Sequence, residues 1–221
     1  MALALSSNWM VGVALIGAVA AASSFIYQRI VDRRRTRDYT EHCLARGLRF
    51  EHDRPGEEAR HARTCHLFGE GYDREWCYTI TGERSDVPYM MFEYRWTTGY
   101  FRNSYQHTIG GVLWTVRRDL PDFILTPAAK PTWWFGGQDI DFADSPQFSD
   151  AYRLRAPNEA AVRALFTADV RRAFERDREQ HIAGAGKELL WWRNDRLPPS
   201  EGLDQFLMEA DRIRQLFDRP A

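Results

Sequence analysis

The chain has 221 residues, enough for one domain or for one domain with an appendage. Charged residues make up 28% and hydrophobic residues 44%, which excludes a disordered polar chain. A formal net charge of −1, from 30 basic and 31 acidic side chains, excludes a global basic field for nucleic acid, and three cysteines exclude a dense disulfide scaffold.

From Met1 to Tyr27 no residue is charged. Trp9 to Tyr27 would span roughly 27 Å as a helix, close to the thickness of a bilayer core. Trp9 and Tyr27 stand where amphipathic rings prefer the two interfaces, and Arg29, Arg33, Arg34, Arg35 and Arg37 follow at once. This pattern predicts a single uncleaved transmembrane helix over residues 1–28, anchored by Trp9, Tyr27, Arg33, Arg34 and Arg35. A cleaved signal peptide would need a basic start, which residues 1–8 lack. Positive flanks stay inside, so the expected location is a bacterial inner membrane, with the N-terminus outside and the rest cytoplasmic. Ala14, Ala18 and Ala22 recur at a spacing that lets two helices approach closely, a candidate homodimer face. A cytoplasmic setting would keep Cys43, Cys65 and Cys77 reduced.

Residues 29–58 read as a basic juxtamembrane connector that could continue the membrane helix as a polar stalk from about Ile30 to Arg49, interrupted by Gly47 and Asp53-Arg54-Pro55-Gly56. Residues 59–221 read as an α+β domain. Aromatic and β-branched runs predict strands at Arg63–Phe68, Glu75–Thr81, Tyr89–Trp96, Ser104–Val116, Phe123–Thr126 and Tyr152–Arg155, with a turn at Arg118-Asp119-Leu120-Pro121. Short turns imply antiparallel pairing. Asn158 then caps a helix whose stripe is Val162, Leu165, Phe166, Val170, Ala173 and Phe174, closed by Gly184 and Gly186. Lys187–Arg193 predicts a strand covered on both faces, Leu190 and Trp192 against Leu189 and Trp191. Pro198-Pro199-Ser200 opens a last helix with the stripe Leu203, Phe206, Leu207, Ala210, Ile213 and Phe217. The expected fold is thus an N-terminal transmembrane helix, then an antiparallel sheet packed against two C-terminal amphipathic helices.

Four groups could carry chemistry. His42, Cys43, His61, Cys65, His66 and Cys77 are zinc-ligand types at spacings that match no zinc motif. Asp139, Asp141 and Asp144 could meet a hard cation, yet Ile140 and Phe142 between them suit a strand whose acids face water. Arg95, Arg102, Arg117 and Arg118 could line an anion site, with Glu93 and Asp119 among them. Trp133 and Trp134, next to Gly136-Gly137, are candidates for a contact surface.

The stretches Tyr94-Arg95-Trp96-Thr97-Thr98-Gly99, Leu120-Pro121-Asp122-Phe123-Ile124-Leu125-Thr126-Pro127 and Pro146–Leu154 carry a resemblance. Over about residues 60–215 the chain resembles a group of bacterial membrane-associated proteins with an apolar N-terminal segment and no assigned activity. The resemblance implies kinship of fold and no catalytic residues. The sequence therefore predicts a membrane-tethered cytoplasmic binding or scaffolding module with an unidentified protein partner, no cofactor and no nucleic acid. Two alternatives are a metal-dependent enzyme built on Asp139, Asp141 and Asp144 or on Cys65, His66 and Cys77, and a lipid- or ligand-sensing domain using Trp133 and Trp134.

Overall fold

The computed structural model describes residues 3–128 and 138–218. Among these, six strands form one antiparallel sheet: β1 (Arg49–Asp53), β2 (Tyr72–Arg84), β3 (Val87–Thr98), β4 (Tyr105–Pro127), β5 (Tyr152–Arg155) and β6 (His181–Arg193). The helices are α1 (Leu3–Arg46), α2 (Glu57–His61), α3 (Pro146–Ala151), α4 (Glu159–Leu165), α5 (Ala168–Arg176) and α6 (Leu203–Asp218).

β4 is the spine of the sheet. One of its edges carries β3 along Tyr105–Trp114 and then β5 at Ile124–Pro127, while its other edge carries β6 from Gly110 to Leu125. The β2–β3 hairpin closes through Ser85 and Asp86, both left-handed (φ 53 and 57), the geometry a two-residue hairpin needs to match strand twist. No turn forms at residues 118–121. β4 runs through them with register shifts against β6 between Thr115 and Leu120 and between Leu120 and Phe123. Pro121 cannot donate to a ladder, and it falls in this interrupted stretch.

Both faces of the sheet are buried. One core holds Tyr89, Met91, Val112, Trp114, Leu189 and Trp191 beneath the second half of α1 and helices α3–α6. The other holds Trp76, Phe92, Tyr94, Trp96, Leu190 and Trp192, with Leu67 and Phe68 of a short turn (His66–Gly69) packed on them. The two-sided β6 is therefore as its alternation predicts. The α6 stripe is also as expected, since Leu203, Phe206, Leu207, Ala210, Ile213 and Phe217 are all buried.

Three expectations change. First, among the described residues no helix is long and apolar enough to cross a membrane, so the predicted transmembrane helix is corrected. The uncharged run is not a separate element. It is the start of one 44-residue helix that carries Arg29, Asp32, Arg33, Arg34 and Arg35 and runs on into the domain. Second, residues 29–58 contain the second half of α1, whose Tyr39 and Cys43 enter the core, and the edge strand β1. Residues 63–68, expected as a strand, make a turn instead. Third, the two C-terminal helices are three. Asn158 caps α4 as predicted, its side chain accepting from Ala161 N at 3.1 Å, but the helix breaks at Phe166-Thr167 and restarts as α5. Arg171 is buried at the break. It donates to Phe166 O at 3.0 Å, satisfying a terminal carbonyl, and its guanidinium lies 4.3 Å from the Phe142 ring centre. The break lets Phe166 reach Phe123, Phe148 and Phe217.

Gly110 has a packing role. A Cβ there would stand 2.8 Å from Leu197 N and 3.0 Å from Arg196 C, so the loop before α6 can lie on the sheet only over a bare backbone. Gly110→Val is expected to lower unfolding stability by about 1–3 kcal/mol, read from urea denaturation midpoints at unchanged slope.

Candidate functional site

The site begins with a charge in the wrong place. Alternation along β3 sends Tyr89, Met91 and Glu93 to the same face, and that face is covered by α1, so Glu93 is fully buried. A buried carboxylate needs partners. Arg35 of α1 supplies Nη2 at 2.6 Å, Arg95 two residues on supplies Nη2 at 2.5 Å, and Leu197 N donates at 3.2 Å. Arg35 also donates to Leu197 O at 2.7 Å and to the Tyr39 hydroxyl at 3.1 Å. That hydroxyl donates in turn to Pro198 O at 2.7 Å. The Arg35 guanidinium sits 4.5 Å from the Tyr78 ring centre, and the Tyr78 hydroxyl donates to Asp32 at 3.2 Å. Burial draws the Arg35 pKa down, but hydrogen bonding and charge from Glu93, with Tyr39, more than offset it and leave it raised. Burial pushes the Tyr39 phenol up to about 12 against the pull of Arg35, so it stays a donor at neutral pH.

This network fixes α1 against the β1–β2 edge and opens a cleft of about 820 Å³ beside it. Five arginines line the cleft: Arg29 and Arg33 from α1, Arg54, Arg74 and Arg95 from the sheet side. Asp32, Asp53, Glu58 and Glu75 share the lining, together with Pro55 and Trp76. Arg95 is spent on Glu93, and Arg54 on Glu51 at 3.1 Å and Glu57 at 3.6 Å. Arg33 and Arg74 are exposed and form no ion pair among the described residues.

A second cluster holds the far face. His61 of α2 places Nδ1 2.8 Å from Glu188 of β6 and Nε2 3.2 Å from Glu57, and Thr64 donates to the other Glu188 oxygen. Burial pulls the His61 pKa down, yet the hydrogen bonds and charges of Glu188 and Glu57 outweigh it and leave it raised. Burial pushes Glu188 up, and His61 with Thr64 more than reverses that, leaving it below the usual carboxylate range.

The sequence-selected residues are mostly dispersed. Asp139 is held by Arg155 at 2.6 Å and Arg153 at 3.2 Å, Asp144 pairs with Arg171 at 2.5 Å, and Asp141 is exposed while Ile140 and Phe142 enter the core. Asp139 and Asp141 do share a shallow depression, without Asp144. Cys43 and Cys77 lie on one side of the sheet and Cys65 on the other, with burial pushing the thiols up to about 11, 12 and 12 respectively. Among the described residues no three His, Cys, Asp or Glu side chains come together to hold a metal. Arg117 is 3.9 Å from Asp86 at the opposite end of the sheet from Arg95, so these two expected arginines do not converge, and the side chain of Arg102 lies outside the described residues. Arg35 turns into the protein, whereas Arg33, Arg34 and Tyr27 are exposed, as is Ala22. The side chains of Trp9, Ala14 and Ala18, and residues Trp133 and Trp134, lie outside the described residues.

Glu93, Arg74 and the His61–Glu188 pair escape a reading by motif. Glu93 alone leaves a signal, an acid at an inward position of an otherwise aromatic strand.

Together these features define an α+β sheet protein with a clamped N-terminal helix and an arginine-lined cleft beneath it. No family model matches the chain, and no curated protein matches it. Among solved structures it is similar to the crystal structure of the mycobacterial trehalose monomycolate transport factor A, TtfA, with a TM-score of 0.59 and 10% identity over 84% of this chain and 93% of that one. At that identity the likeness establishes the fold.

Two outcomes follow from the clusters. Glu93→Ala leaves two guanidiniums without their carboxylate and is expected to cost about 3–5 kcal/mol in urea unfolding, against about 1 kcal/mol for Tyr39→Phe. His61 contributes stability that is full below its unfolded pKa of about 6.5 and is lost as pH rises through its raised folded value. Glu188 contributes stability present above its unfolded pKa and lost as pH falls through its lowered folded value. Thermal melts of His61→Gln across this range are expected to lose the decline on the alkaline side, while the parent chain retains it.

Proposed function

We propose that the protein is a membrane-associated binding module whose cleft beside α1 takes the anionic group of a lipid-class ligand. The observation that carries this reading is the pair Arg33 and Arg74, which line the cleft from α1 and from β2, are exposed, and form no ion pair among the described residues, with one Arg74 nitrogen donating to Phe68 O at 3.4 Å. A guanidinium without a carboxylate partner has donors left for a phosphate or carboxylate, and two such groups lining one cleft give directional recognition. The exposed Pro55 of the lining offers apolar surface to the rest of such a ligand. Membrane association draws support from the uncharged first 27 residues and the arginines after them. The fold shared with a protein named as a trehalose monomycolate transport factor makes lipids the first class to test.

The test uses soluble short-chain lipids, so that no bilayer is involved. Calorimetric titration of the full chain with dihexanoyl phosphatidic acid is expected to show saturable binding, weaker with dihexanoyl phosphatidylcholine. Arg33→Gln combined with Arg74→Gln should weaken it at least about tenfold, as loss of charge-assisted hydrogen bonds requires. Binding unchanged in the double variant, or absent in the parent, overturns the proposal.

A further inference from the structure

The loop joining β3 to β4 carries aromatic side chains into open solvent. Phe101 is 97% exposed, Tyr100 79% and Tyr105 66%, and Tyr72 at the start of β2 stacks beside Tyr100 with ring centres 6.3 Å apart. Large apolar side chains are seldom left this bare in a cluster without a partner for them. The loop is built to hold them there. Gly99 takes φ 82, and a Cβ on it would meet Asn103 O at 2.0 Å. Asn103 N donates to Tyr100 O at 3.1 Å, and Ser104 Oγ donates to Phe101 O at 3.0 Å. Phe101 itself sits at φ 53, a conformation bulky side chains rarely adopt. The result is an aromatic tip held out in solvent.

Its place in the fold identifies what the tip meets. α1 runs antiparallel to β3: Cys43 lies by Tyr89, and Arg35 lies on Glu93. Toward its N-terminus α1 therefore advances along β3 toward Thr98 and the tip. Arg29 and Arg33 share the cleft with Arg74 and Arg95, and Arg95 is about 10 Å along the strand from Thr98 at the base of the loop. That is about one Debye length at 0.1 M salt. Arg33, Arg34 and Arg74 are exposed at this end, with Asp73 and Glu75 the exposed acids on the same stretch of β2. On α1, Val19, Ile26, Tyr27 and Ile30 are exposed as well. Interfacial aromatics, exposed aliphatics and a collar of arginines behind them are the chemistry of a surface that meets anionic lipid headgroups.

We infer that the β3–β4 tip, through Tyr100, Phe101 and Tyr105, inserts into the interface of an anionic bilayer, with the arginines behind it resting on the headgroups. This goes beyond the cleft: it orients the domain on the membrane.

The experiment places an environment-sensitive nitrobenzoxadiazole label at Phe101→Cys in the full chain. Cys43, Cys65 and Cys77 are buried and their thiols are pushed up, so the introduced thiol is the one that reacts. Vesicles of equal parts phosphatidylglycerol and phosphatidylcholine should raise the label's fluorescence several-fold and shift it to the blue. A label at Glu83→Cys, at the opposite end of the sheet, should not respond. A silent label at 101, or equal responses at 101 and 83, overturns the inference. Replacing Tyr100 and Phe101 together by serine should weaken vesicle binding at least about tenfold while leaving dihexanoyl phosphatidic acid binding intact. Unchanged vesicle affinity in that variant also overturns the inference, and loss of the short-chain lipid alone would count against the cleft instead.

Discussion

A carboxylate enclosed in a sheet face cannot stay there alone, and Glu93 is the point from which the rest of this structure is organised. Its oxygens draw in Arg35 from α1, Arg95 from its own strand and the Leu197 amide from the loop before α6. Three parts of the chain distant in sequence are thereby held at one place. A buried pair of this sort adds little net stability over a well-packed apolar substitute, because both charges must first be dehydrated. What it supplies is register. An apolar contact would let α1 slide or rotate on the sheet, whereas a carboxylate with directional donors fixes one seating. The cleft, the shared place of Arg33 and Arg74 on its lining, and the direction in which the first half of α1 projects all descend from that seating.

The sheet is protected on both sides by different means. Helices cover the Trp114–Trp191 side with a broad apolar surface. On the other side, Leu67 and Phe68 pack on the aromatic wall, and the Tyr94 hydroxyl donates to Phe68 O at 3.1 Å. The segment carrying them is fastened to β6 by the His61–Glu188 hydrogen bond. Both faces thus combine apolar area with a charged contact, Glu93 with Arg35 under α1 and Glu188 with His61 on the other side.

Much of the fold was legible along the chain. Periodicity found β2, β3, β5, β6 and α6, and the Asn158 cap marked the start of α4, because each of these depends on neighbours two to four residues away. It failed where the deciding partner was remote. Arg118–Pro121 looks like a turn locally, but β4 passes through it because β6 pairs on both sides of the irregularity. The α4–α5 helix looks continuous until Phe166 must meet Phe123 and Phe217. The candidate site was less legible still. Arg35 reads as one of a run of lipid-facing arginines, and only the seating of α1 turns it inward while Arg33 and Arg34 remain outside.

By itself the sequence determined an α+β antiparallel domain, a two-sided β6, an amphipathic closing helix and an uncharged beginning followed by arginines. These are properties of composition and of short-range alternation, which act through backbone geometry alone. Only the tertiary structure decided that the first helix is locked into the domain, that Glu93 is its fastener, and that Tyr100 and Phe101 stand exposed at the end of the sheet toward which that helix runs. Those outcomes rest on contacts between residues 58 to 162 positions apart, such as Arg35 with Glu93 and with Leu197. No local pattern encodes such contacts, because they exist only once the sheet has brought their partners within hydrogen-bonding distance.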